Sequence, residues 1–269
     1  MKPFRSFAAM SAIAMALVGL PMVAPAAAKV SVDGTYEISI AGWGIARATV
    51  DLTIANGKYD ATLFMAPKGV AKIVTAVRTS VDASGALRRG DVLPNTYNVS
   101  ADEIDRPVRV AMRMNGGTVS SLKAQPPLKA LDGRIAVTNA HRRGIVDPLS
   151  SGLIPAKAAD ARDACDHTMK IFDGWTRYDV KLYYKGERKV ATEGYSGSAS
   201  VCGARWVPVA GHRPHKREVQ YLAANKALEV TVVPLPGTGY AIPYAVRIGT
   251  PNGEIKIEPS QLAITGTGV

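Results

Sequence analysis

"ARATVDLTIANGK", residues 46–58, decides the fold class. Ala46, Ala48, Val50, Leu52 and Ile54 fall on one side of an extended chain, with Arg47, Thr49, Asp51 and Thr53 on the other. Side chains alternate across a strand, so this period of two describes a strand with one buried and one wet face. Asn56-Gly57 follows at once, and that dipeptide readily takes the positive φ angles of a two-residue hairpin. The stretch reads as a strand turning back into an antiparallel partner.

Working outward, the pattern recurs. "VRVAMRM" turns Val108, Val110, Met112 and Met114 inward and Arg109 and Arg113 outward. "YDVKLYYK" sets Tyr178, Val180, Leu182 and Tyr184 against Asp179, Lys181, Tyr183 and Lys185. "LEVTV", "YAVRI" and "IKI" alternate likewise. Turn signals stand at Ser84-Gly85, Asn115-Gly116-Gly117, Asp132-Gly133, Lys185-Gly186 and Asn252-Gly253. On the order of a dozen short strands follow, an all-β count. The expected fold is mainly β: a highly curved antiparallel sheet, a half-open barrel or β-spiral, with one or two short helices.

The helices are expected at two places. Val70, Ile73, Val74 and Val77 in "KGVAKIVTAV" have helical spacing. In "VDPLSSGLI", Asp147 suits an N-cap and Pro148 the first helical position. Residues 142–166 read as a connection between N- and C-terminal strand groups of one β-rich domain, residues 29–269. "TYEISIAGWGIARATV" and "RYDVKLYYKGERKVAT" share an order of aromatic, alternation, glycine, alternation, a weak sign of internal repetition.

The first 28 residues have the order of a secretory leader. Lys2 and Arg5 precede an apolar run from Phe7 to Val23, and Ala26-x-Ala28 places cleavage between Ala28 and Lys29. The run is short for a membrane span of ~20 residues and ends among prolines, and no later stretch could span a bilayer as a helix. A periplasmic location is expected. Loss of Lys2 and Arg5 lowers the formal charge from +11 to about +9. Export and the scatter of the basic residues argue against nucleic acid and favour an anionic lipid or envelope protein as partner.

Cys165 and Cys202 are the only two cysteines. In an oxidising compartment an even count points to pairing; a reactive thiol with His167 or His212 as base is the competing reading. His212-x-x-His215 has the look of a metal pair, but Pro214 opposes a helix there and Arg213, Lys216 and Arg217 crowd the loop with positive charge. "GYSGS" at 194–198 has Ser198 where a hydrolase elbow needs glycine. No catalytic residue, metal ligand or cofactor site is assigned. Trp43, Met112, Met114, Trp175 and Trp206 are candidate lining for an apolar ligand. Arg213, Lys216 and Arg217 are candidate contacts to an anionic surface.

The series "IFDGWTRYDVKLYY", "GYSGSASVCGARWVPVAGHRP", "NKALEVTVVPLPG" and "YAIPYAVRIGTPNGEIKI" resembles the bacterial envelope family called domain of unknown function 3108. "DPLSSGLI" and "DVLPNTY" extend the resemblance over most of the chain after residue 28. The family brings no established catalytic residues. Its alphaproteobacterial members carry a matching cysteine pair, which implies the Cys165–Cys202 link. A looser fold analogy runs to LolA-like lipoprotein carriers and other β-spiral periplasmic proteins. The leading functional expectation is a non-enzymatic envelope-maintenance protein, or one that binds lipid or lipoprotein. The alternatives are a module docking on an envelope complex through its basic surface and, further off, an uncharacterised hydrolase.

Overall fold

In the computed structural model, residues 29–69, 77–88, 90–102, 107–127, 133–157 and 161–266 are described. The leader and most of the helix expected over 68–77 lie outside them.

The alternation at residues 46–54 becomes part of β2 (Trp43–Ala55), which turns at Asn56-Gly57 into β3 (Lys58–Pro67) with Ala55 opposite Lys58. Both turn residues have positive φ, as a primed hairpin turn requires. β1 (Lys29–Ile40) precedes this hairpin; β4 (Arg78–Arg88), β5 (Asp91–Asp102), β6 (Val108–Asn115) and β7 (Thr118–Gln125) continue the meander. After the connection come β8 (Ile154–Pro155), β9 (Thr168–Phe172), β10 (Arg177–Thr192) and β11 (Tyr195–Ala210). Among the described residues one α-helix, α1 (Arg217–Ala224), leads to β12 (Leu228–Leu235), β13 (Tyr240–Thr250) and β14 (Gly253–Gly266).

These strands form one 14-stranded sheet in the order β7-β6-β5-β4-β3-β2-β1-β14-β13-β12-β11-β10-β9, with β8 added beside β13. Every strand pairing is antiparallel. The first and last strands pair with each other, so the two strand groups are stitched through β1 and β14. The sheet curls without closing. Tyr240 of β13 donates its hydroxyl to the Asp91 carbonyl of β5 at 3.0 Å, although five strands separate them in the sheet order. Tyr36 of β1 similarly reaches the Pro243 carbonyl at 3.2 Å.

Two turn signals prove to be strand interiors. Ser84-Gly85 lies within β4 at a bulge, where a Cβ on Gly85 would collide with the Leu93 carbonyl and the Tyr59 ring. Glycine is there for close approach. Lys185-Gly186 lies within β10 at a second bulge. An extra residue in one strand flips the faces beyond it. Val180 and Leu182 accordingly join one apolar cluster, while Val190 packs against another. The proposed repeat also dissolves, because its first copy is a β1–β2 hairpin and its second a single strand, β10.

The connection enters the interior. Ile145 belongs to a cluster with Ala83, Tyr97, Val110, Met112, Met114 and Phe172. Leu153 belongs to another built from β1, β2, β3 and the C-terminal strands. The helical turn starts two residues later than read, with Leu149 at its N-cap position, while Asp147 steadies its approach: Oδ1 accepts the Ser150 N–H at 2.8 Å and the carbonyl accepts the Ser151 N–H at 2.9 Å. The 3-10 turn Ser150–Gly152 follows, and Ser150 Oγ meets the Tyr59 hydroxyl at 2.6 Å. The chain itself thus fills part of the interior, and a pocket of about 420 Å³ remains between Val92, Ile145, Leu153 and Met169.

Asp147 is fully buried, and its Oδ2 has no hydrogen-bond partner. Burial pushes its carboxyl up to about 6 from the ordinary 3.8, against the lowering effect of its hydrogen bonds with Ser150. A carboxyl with a raised folded pKa favours the folded state below its unfolded value and loses that contribution as pH rises through the folded one. The contribution from Asp147 should therefore be full below pH 3.8 and gone above about pH 6. Asp147→Asn keeps an acceptor for Ser150 and removes the titration. Urea unfolding at pH 4.5 and 7.0 should show a smaller pH difference for this variant than for the parent chain; equal differences would dismiss the assignment.

Candidate functional site

The stretch "RWVPVAGHRPHKREV" builds a surface cleft. β11 ends at Ala210 and Gly211 turns the chain with positive φ. Only glycine fits this turn, since a Cβ would run into the Trp175 carbonyl. The Gly211 N–H donates to the Ile135 carbonyl at 2.7 Å, and the Ile135 N–H donates to the His212 carbonyl at 3.0 Å. Arg134 Nη1 donates to the Gly211 carbonyl. The segment Arg134–Ile135, which follows β7, is thereby zipped onto the loop. Beneath it, the Asp173 carboxylate accepts the N–H groups of Trp175 at 2.8 Å and Thr176 at 2.6 Å, holding the turn against Gly211. Burial raises the Asp173 pKa, and the nearby positive charge of Arg134 partly opposes this.

The loop that was read as charged coil ends in a helix. Pro214 keeps residues 212–216 out of it, and α1 starts at Arg217. Val219 and Leu222, one helical turn apart, face back toward β11 and close the far wall. The cleft encloses about 330 Å³ between Arg134, Thr176, Trp206, His212, Arg213, Lys216, Glu218, Val219 and Leu222. Arg134, Arg213 and Lys216 line it together with the carboxylate of Glu218. On the same wall, Arg134 Nε and His212 Nδ1 are buried without a hydrogen-bond partner. Trp206 is held in place by Tyr178, with ring centroids 5.8 Å apart.

The structure unites two sets of residues that the sequence suggested separately. Trp206, a candidate for apolar lining, meets Arg213 and Lys216, candidates for anionic contact; Arg217 follows at the start of α1. The other apolar candidates go elsewhere. Met112 and Met114 are packed in the interior cluster, and Trp175 lies against it with Nε1 donating to the Pro126 carbonyl at 2.8 Å. Trp43 is 71% exposed at the start of β2. Cys165 and Cys202 form a disulfide with Cα atoms 5.1 Å apart, buried in the cluster behind Trp206. Among the described residues, no three His, Cys, Asp or Glu side chains are grouped to hold a metal ion.

Sequence reasoning missed Arg134, Thr176, Val219 and Leu222. The helical spacing of Val219 and Leu222 could have exposed the helix. Arg134 and Thr176 reach the cleft only through tertiary contacts.

A family model for proteins of unknown function, DUF3108, matches residues 35–258. The chain belongs to the DUF3108 family. The match runs from β1 into β14 and so includes the connection, the disulfide and the whole cleft of this DUF3108 chain. Comparison with curated proteins gives no match. Among solved structures, this DUF3108 chain is similar to a beta-barrel-like protein of the domain of unknown function DUF1849 from Brucella abortus. The identity is 9%, the alignment covers 88% of this chain and 98% of that chain, and the TM-score is 0.48.

Proposed function

We propose that this DUF3108 protein is an exported, non-enzymatic envelope protein that binds acidic lipid headgroups in the cleft between β11 and α1. One observation carries the reading: Arg134, Arg213 and Lys216 converge with Trp206, Val219 and Leu222 on a single cleft of about 330 Å³. Cations alone would suit any anion. Cations beside an indole and two aliphatic side chains suit an anionic group joined to an apolar one. Met112 and Met114, the interior candidates for apolar lining, are packed among core side chains, which supports a surface cleft as the binding place. The sequence of residues 1–28 and the buried disulfide agree with an oxidising, exported setting. No helix among the described residues is long and apolar enough to cross a membrane.

Vesicle co-sedimentation tests this reading. The protein should bind vesicles containing phosphatidylglycerol and not pure phosphatidylcholine, and the binding should weaken with salt. Each basic residue near an anionic surface contributes about 1 kcal/mol, so the double reversal Arg213→Glu/Lys216→Glu should weaken binding at least tenfold. Equal binding by the reversal variant would reject the cleft. If lipid does not bind, but crosslinking in cells captures one protein partner that is lost on reversal, the cleft docks protein and the lipid assignment fails.

A further inference from the structure

Among the described residues the sheet has two edges, and the connection covers them unequally: at β7 it reaches only the start, where the Ile145 N–H donates to the Gly117 carbonyl at 3.0 Å. At β9 the connection supplies a cover: the Val146 N–H donates to the Lys170 carbonyl at 2.8 Å, and the Phe172 N–H donates to the Val146 carbonyl at 3.0 Å. At the other edge, β7 pairs with β6 on one side only. Among the described residues, no backbone hydrogen bond reaches the outer side of Thr118–Gln125. An open edge offers alternate N–H and C=O groups to any extended chain that can approach.

Room for that chain exists. A groove of about 520 Å³ runs beside β7, lined by Val119, Ser120, Ser121, Leu122, Lys123 and Ala124, with Pro127 and Arg142 opposite. Arg142 Nε is buried there without a hydrogen-bond partner. Ser120, Ser121 and Lys123 are exposed, so the groove is polar. Among the described residues its charged walls, Lys123 and Arg142, are positive.

We infer that β7 is a strand-addition site for an extended, acidic segment of a partner protein. Backbone pairing would supply affinity, while Lys123 and Arg142 would select for carboxylates. A second copy of this chain fits poorly, because its own edge strand, TVSSLKAQ, brings one lysine and no carboxylate to meet Lys123 and Arg142. This inference rests on the sheet edge and is independent of the lipid cleft.

The probe is a capped decapeptide of alternating threonine and glutamate, titrated into isotope-labelled protein and followed by amide exchange. Bound peptide should slow exchange of β7 amides at least tenfold and leave α1 unaffected. Two controls separate strand addition from charge attraction. The same peptide with alternate backbone nitrogens methylated should fail to bind, because its donors are gone while its charges remain. Lys123→Glu/Arg142→Glu should lower affinity at least tenfold and favour a threonine–lysine peptide instead. No binding, or equal binding by the methylated peptide, overturns the proposal. Protection of β7 that appears with protein concentration alone would give the edge to a second copy and overturn the choice of partner.

Discussion

Truncating Phe172 to alanine should lower the unfolding free energy by about 3–5 kcal/mol, the range for a large aromatic removed from a close-packed core. Phe172 is completely buried at the end of β9, against a cluster formed by Ala83, Tyr97, Val110, Met112, Met114 and Ile145. Its backbone also receives the Val146 cover strand, so the side chain ties the sheet edge to the connection. Partial collapse cannot refill the space easily, since its neighbours come from several strands and from the turn hydrogen-bonded to Asp147. Urea unfolding of the protein without residues 1–28 would measure the loss. A cost below about 1 kcal/mol would mean that the site is loosely packed. The enclosed-ligand reading would then regain its ground, because an interior with spare volume could hold an acyl chain.

Removing the disulfide should cost nearly as much. A link between residues 37 apart restricts the unfolded chain enough to stabilise the fold by about 3–4 kcal/mol in the chain-entropy model. Cys165→Ala/Cys202→Ala should show that loss in the urea midpoint. The structure adds where the damage should appear. Cys165 ends a short 3-10 turn laid over β10, β11 and β12, with Leu182, Cys202, Ala204, Leu228 and Val232 beneath it. Amides at Leu182 and Val232 should therefore lose protection before those at Leu52 or Tyr59, which lie in a different cluster. Alkylation of the unreduced, denatured protein should find no thiol. Two free thiols would refute the pairing.

Much of the fold could be read locally. The alternation in β2 and β6 predicted which residues are buried, because each strand has one face toward the interior and one toward water. The Asn56-Gly57 hairpin followed from backbone stereochemistry alone. Glycine misled at 85 and 186, since close approach and a bulge call for the same residue as a turn. The helix at 217–224 was masked by its own charge: Arg217 and Glu218 made it look like the end of a loop.

By itself, the sequence determined the strand-rich class and the hairpins, indicated a helical turn after Asp147 and pointed to the pairing of two cysteines. Those are properties of neighbouring residues, of backbone stereochemistry or of simple chemical count. Only the tertiary structure decided how the sheet curls and what fills it. Val232 and Val233 are adjacent and both wholly buried, which no alternating pattern predicts. Val233 faces the interior cluster that includes Leu153, while Val232 faces the patch under Cys165 and Ile154. The second covering layer comes from a segment some 70 residues earlier in the chain, and local sequence carries no record of where such a segment will land. The cleft has the same origin. Arg134 lines one cleft with Trp206 and Lys216 because the segment Arg134–Ile135 pairs with Gly211 and His212.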